Sequence, residues 1–313
     1  MKKIILILSL SIFHCALAAK IIPDYNMSVY DKTIEQIYQT LQTENTTQRI
    51  EQISRHFLGK PYQLGSLGEG KNAKFDQDPI YRTDTFDCLT YVSTVIALAK
   101  ANNLPQFQEE MNKIQYRHAK PSFFNRLHFM SVDWNVVNAQ NGIIQDITYR
   151  FKDANGRALY KTAQALINKP AWYRKMTSEN LVLIHPLSVK EEEKRLQALR
   201  SLSRKAQKTM GSVRYIPLTA LFYTNGKPNQ TLFNQIPSGA IIEIVRPNWD
   251  LEKLIGTRLN ISHVGFAIRT PQDLMFREAS SLEHQVIDTS LAEYLKNYLN
   301  SPTVKGINIH IVL

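Results

Sequence analysis

The sequence predicts an α+β fold in which helices come first and an antiparallel β-sheet follows. Two patterns carry that expectation. Apolar residues recur at helical spacing over residues 30–41, 46–57 and 86–102, whereas from Ala240 onward they alternate in short runs divided by turn-prone residues. Helices followed by strands, rather than interleaved with them, point to α+β instead of a parallel α/β architecture. With 313 residues, 43% of them hydrophobic and only 12 glycines and 13 prolines, the chain can bury a large core and is neither fibrous nor disordered.

The N-terminus comes first. Residues 1–18 combine Lys2 and Lys3, an apolar run from Ile4 to Phe13 and the small-residue pattern Ala16-Leu17-Ala18, so an export signal peptide cleaved after Ala18 is expected. The mature protein is then periplasmic or secreted. The apolar run is too short to span a bilayer and no later segment offers that length, so no integral membrane segment is expected in the mature chain. Cys15 leaves with the leader, because His14 is a poor neighbour for lipoprotein processing. Cys88 remains as the sole cysteine and has no intramolecular disulfide partner.

An N-terminal segment, 19–45, carries the first helical pattern, and the second covers 46–57. "LGKPYQLGSLGEG" (58–70) breaks it with four glycines and a proline and reads as a loop. The third helix, 86–102, places Cys88, Val92, Val95 and Ala99 on one face, widened by Leu89, Ile96 and Leu98. Asp84, Thr85 and Asp87 supply capping and acidic residues at its start, and "NNLP" (102–105) stops it. "FFNRLHFMSVDWN" (123–135) is aromatic without clear period, "GIIQDIT" (142–148) alternates like a strand, and "VKEEEKRLQALRSLSRKAQKTMG" (189–211) reads as a solvated charged helix ending at glycine. The strands follow as "AIIEIV", "SHVGFAIR", "LMFREAS", "HQVID" and "INIHIVL".

The chemistry is sought around Cys88. A helix N-terminus favours the thiolate, and first-turn N–H groups are unpaired donors suited to an oxyanion. Asp87 works against this by adding a negative charge. Position alone leaves a small buried cysteine as a full alternative. Of the histidines outside the leader (His56, His118, His128, His185, His263, His284 and His310), only His263 sits in a context that carries geometry. In "ISHVGFAIR", Val264, Phe266 and Ile268 share a core face, while His263, Gly265 and Ala267 share the other. That second face is bare beyond the histidine, so a helix is expected to pack closely there and bring Cys88 to the imidazole. In "LMFREAS", Glu278 shares a face with Leu274 and Phe276 and is the candidate orienter of His263, with His284 as fallback. No HExxH, no paired CxxC and no phosphate-cradling glycine motif occurs, so no metal and no cofactor are expected. The net charge of +11 draws an exported protein toward anionic polymers.

"LGKPYQLGSLGEG", "FDCLTYV", "FNRLHFMSVDW", "ISHVGFAI" and "FREASS" with "LAEYL" follow one another in an order that resembles the N-acetylmuramoyl-L-alanine amidase-like group of the NlpC-type, papain-like cell-wall cysteine hydrolases. The resemblance covers 46–313, read as one domain with a helical insertion around 187–211. It implies a papain-like core in which a cysteine at a helix N-terminus faces a histidine on an antiparallel strand. It also implies peptidoglycan or muropeptide as partner, and not nucleic acid. By resemblance, Cys88 is the nucleophile, His263 the general base and acid, and Tyr62 an oxyanion or substrate contact. Asp87 would meet an amine of the stem peptide. Arg126 and His128, with Trp134, match a family segment of unassigned role and are counted as substrate-binding candidates near the cleft. The chain departs from relatives that carry histidine in "FRHASS", where it has Glu278. A D-glutamyl–diamino acid endopeptidase, a non-catalytic wall-binding module and a lipid thiol acyltransferase are the competing functions. The intact Cys88/His263 pair disfavours the module, and the lack of an amphipathic membrane-binding stretch disfavours the acyltransferase.

Overall fold

A computed structural model describes residues 18–43, 45–153 and 155–313. The expected signal peptide, up to residue 17 and with Cys15, lies outside the described residues. Four helices form the N-terminal layer: α1 (Met27–Thr40), α2 (Thr46–His56), α3 (Cys88–Lys100) and α4 (Leu104–Gln115). Each starts on a side-chain cap, since Asn26, Asn45, Asp87 and Asn103 accept from first-turn backbone N–H groups. α3 is the buried member of the layer. Val92, Val95, Ile96 and Leu98 are fully enclosed, and each stabilises the fold by about 1.5–3 kcal/mol relative to exposure.

The strands are β1 (Lys20–Ile21), β2 (Ile144–Asp146), β3 (Lys161–Asn168), β4 (Val182–Leu183), β5 (Lys208–Pro217), β6 (Ala240–Leu251), β7 (Thr257–Arg269), β8 (Leu274–Ser280), β9 (Gln285–Ser290) and β10 (Gly306–Val312). Eight of them form one antiparallel sheet in the order β3-β5-β10-β6-β7-β8-β9, with β2 also on β10. The sheet curls, so that Ala163 and Val213 on β3 and β5 pack against Val245 and Ile261 on β6 and β7. β1 pairs in parallel with β4, which ties the N-terminal segment to the middle of the chain. Between these lie α5 (Asn135–Gln140), α6 (Lys169–Lys175) and α7 (Val189–Ser201). No helix among the described residues is long and apolar enough to cross a membrane.

Two sequence expectations are corrected here. The charged run does not stay helical to Gly211. α7 ends at Ser201, and Lys208–Pro217 is β5, with Gly211, Val213 and Tyr215 turned inward in strand alternation. Gly211 is a close-approach glycine instead of a helix stop, because a Cβ there would lie 2.5 Å from Ser131 Oγ. The second correction concerns β7. α3 packs on the Val264, Phe266 and Ile268 face, with Tyr91 edge-on to Phe266 at 6.0 Å. The apolar face drew the apolar helix. The Gly265 side is filled instead by the Phe276 ring, which a Cβ on Gly265 would approach to 2.7 Å.

Candidate active site

The loop after α2 is shaped by backbone bonds to the chain just ahead of α3. Phe86 N donates to Pro61 O (3.0 Å) and Gln63 N to Phe86 O (2.8 Å), while Tyr62 N donates to His284 O (2.8 Å). Phe86, fully buried against Phe57 and Tyr91, anchors this bridge two residues before Cys88. Asp87 then caps α3. Its Oδ1 accepts from Thr90 N (2.8 Å), and its Oδ2 accepts from Gly65 N (3.0 Å) across to the loop. Cys88 is thus held half-buried in the first helical turn, at the positive end of the helix dipole.

His263 comes from β7. That strand pairs with β8 only over Phe266–Arg269, so His263, paired with Ile244 of β6 next to a bulge around Ser262, has no β8 partner on its other side. The Cys88 thiol lies close enough to the His263 ring for its charge to act on the imidazole. His263 Nε2 meets Glu278 Oε2, which leaves Nδ1 for the thiol side. Burial opposes charge on His263, but the charges of Cys88 and Glu278 outweigh it and hold the imidazole well above its ordinary range. Tyr294, on the helix Leu291–Lys296, stacks on the His263 ring at 6.4 Å and 25°, and Phe276 meets it edge-on at 5.9 Å. Burial, then the charges of Cys88, Asp87 and Glu278, push the Tyr62 hydroxyl up, so it remains a donor at neutral pH. Within this geometry a thiol can lose its proton to an imidazole, the imidazolium keeps a counter-charge, and the Tyr62 hydroxyl is a donor near enough to feel the thiol's charge.

The structure therefore gathers Cys88, His263, Glu278, Tyr62 and Asp87. His284 does not join them through its ring: it is exposed in a turn at φ 57°, and its carbonyl holds Tyr62. Arg126 and His128 are placed elsewhere, lining a cavity of about 390 Å³ whose wall includes neither Cys88 nor His263. Arg126 pairs with Glu69 and Asp76. His128 is half-buried against Trp172 at 4.7 Å, and burial followed by the Arg126 charge pushes its pKa down to about 3. Trp134 is core, with Nε1 3.3 Å from Ser93 Oγ. Tyr294 is the site residue that sequence reading missed. It lies in the "LAEYL" segment, whose spacing carries no sign of a contact to a strand about thirty residues earlier.

A cysteine, histidine and glutamate converging where a helix meets an antiparallel sheet, in a mixed α/β fold, define the class. The N-acetylmuramoyl-L-alanine amidase-like (AmiA-like) family model matches residues 52–303, and the chain belongs to that family. A crystal structure of a Legionella pneumophila protein of the DUF1460 family is 48% identical, with TM-score 0.88 over 92% of this chain and 97% of that one. An N-acetylmuramoyl-L-alanine amidase from Bacteroides uniformis shares the fold at 20% identity and TM-score 0.58, covering 85% of this chain and 98% of that one. A Bacteroides fragilis structure described as a putative xylanase does so at 22% identity and TM-score 0.56, covering 83% and 99%. Curated proteins gave no match.

Proposed function

We propose that this protein is an exported peptidoglycan hydrolase that cleaves the N-acetylmuramoyl-L-alanine amide by a Cys–His thioester mechanism. The observation that carries the reading is the convergence of three groups, in which His263 bonds Glu278 and feels the charge of the Cys88 thiol. Family membership supports an amidase-like role on peptidoglycan. A thiol-bearing helix N-terminus against a strand histidine also supports grouping the core with papain-like, NlpC-type hydrolases.

In the proposed cycle, Cys88 passes its proton to His263 and its sulfur attacks the muramoyl carbonyl carbon. The developing oxyanion is met by first-turn N–H groups of α3 and the Tyr62 hydroxyl. The tetrahedral adduct collapses as the C–N bond breaks, and His263 returns the proton to the departing alanine amine. Water, deprotonated by His263, then splits the thioester, freeing the muramic carboxylate and restoring the thiol. Glu278 holds the imidazole and balances its charge. Asp87 lies near enough to the thiol to meet a stem-peptide amine, though both its oxygens already accept backbone N–H groups.

Mass analysis of muropeptides digested by the mature protein tests the bond assignment. The expected products are lactyl-carboxylate saccharide and stem peptides with a free L-alanine amine. Products cut between D-glutamate and the diamino acid would move the protein to the endopeptidases.

A further inference from the structure

We propose that the cavity under α6 is a second binding site, for a wall glycan bearing free carboxylates, which is the product of the reaction proposed above. The proposal rests on that reading for the ligand's origin, but the site stands on its own geometry. Its wall is charged in an unbalanced way. Arg117 Nη2 (2.9 Å) and Lys169 Nζ both bind the same Asp133 oxygen, so two cations share one carboxylate. Lys205, also lining the cavity, has no ion-pair partner among the described residues. Arg126 is already matched by Glu69 and Asp76 and adds no free charge. One ligand carboxylate would complete the set.

Four aromatic side chains, Phe124, Phe129, Trp172 and Tyr173, line the same wall. Trp172 is half-buried, nearly parallel to Phe123 (15°) and edge-on to Phe129 at 5.1 Å. Phe124 stacks on Tyr173 at 24° and remains 40% exposed. His128, neutral at physiological pH, belongs to this wall and does no acid–base work. Flat apolar rings beside a few convergent cations fit a sugar ring that carries an acid. A third, independent feature lies at the floor. Asp133 sits on a π-helical turn, Met130–Trp134, where Trp134 N reaches Phe129 O at 3.1 Å, and such turns occur frequently at functional sites.

Hydrolysis of the muramoyl amide leaves its acyl carbon as a carboxylate on the saccharide, so stripped glycan adds a free acid to the sugar rings it already has, and together these match the wall. The cavity also connects to the catalytic strand. Leu259 packs with Phe129 and Trp172, and it lies four residues before His263, roughly 13 Å along an extended strand. A glycan held there would keep the enzyme on a strand it has begun to strip.

The test uses the full mature chain carrying Cys88→Ala, so that ligands are not consumed. Calorimetric affinities are measured for stripped glycan strands, for the same strands with carboxylates capped as methylamides, and for free stem tetrapeptide. Stripped strands are expected to bind at least tenfold tighter than either. Lys169→Gln with Lys205→Gln, which leaves every ring of the wall present, should weaken that binding at least tenfold. Lys227→Gln, the same charge change on a distant exposed lysine, should move it less than twofold. Equal affinity for capped strands, preference for the peptide, or an unmoved double variant overturns the site. If the lysines matter but wild-type digests show cleavage elsewhere in the stem, the site stands and the bond assignment falls.

Discussion

Glu278 is the residue on which the site's electrostatics turn. It is 3% exposed, and its nearest polar partner is His263 Nε2, so its charge is spent on the imidazole. Glu278→Gln keeps the shape and removes the charge. Turnover should fall roughly 10²–10⁴-fold, as when a buried carboxylate orienter is neutralised. With one counter-charge gone, His263 titrates at lower pH, so the limb of the pH–rate profile that reports it should shift to lower pH. His284→Ala should stay within about twofold, because the position acts through its backbone carbonyl; the reverse ranking would reassign the third position. This pairing was legible because strand alternation put Glu278 beside Phe276. The cap role of Asp87 was legible from its place before the helix, but not its second bond to Gly65, which a loop closing from 22 residues away supplies.

At the scale of elements, α2 is locked to the sheet by Arg277. The sequence "FREASS" sounds outward-facing at two successive positions, yet both side chains are buried, one on each face of β8. Arg277 makes two bonds of 2.6 Å to Asp288 and reaches Ser54 Oγ (2.9 Å) and Glu51 O (3.2 Å) on α2. Arg277→Met leaves Asp288 without its cation and α2 without its tie to the sheet, and should cost about 3 kcal/mol in urea unfolding. A loss below about 1 kcal/mol would show that the lock is dispensable. The helices α1 to α3 and the strands from Ala240 were readable because each keeps one period and begins on a recognisable cap or turn. β3 and β5 were not. Their inward residues Ala163, Ala165 and Gly211 are small, since the curled sheet and the 130–134 turn press close, and small residues give a weak hydrophobic period. The helix-packing face of β7 was misjudged for a related reason: a glycine that looks bare in sequence is filled by a ring from the next strand.

For the whole molecule, buried ionisable groups set how stability varies with pH. Burial would push His310 down, but Glu243 at 3.7 Å overrides it and raises it, as Cys88 and Glu278 raise His263. Glu69 is raised to about 7, mainly by burial. Each of these binds a proton more tightly folded than unfolded. Their stabilisation is present below the unfolded pKa, about 6.5 for histidine, and is lost as pH rises through the folded values. His128 acts oppositely, but only below about 6.5, where the unfolded chain alone is charged. Melting temperature should therefore fall from pH 6 to pH 8. His310→Leu should flatten that fall, and a rise from pH 6 to 8 would contradict the signs. The charge of +11 gives the molecule long-range attraction to an anionic wall, in keeping with the proposed substrate.

The role of the thiol is tested most directly by digesting purified muropeptides with the mature protein and with Cys88→Ala, and identifying the products by mass. Wild-type protein should release free L-alanine amines and muramic carboxylates, and Cys88→Ala should release neither above background. Equal cleavage by the alanine variant would contradict the thioester mechanism, and no cleavage by a folded wild-type protein would contradict the hydrolase assignment.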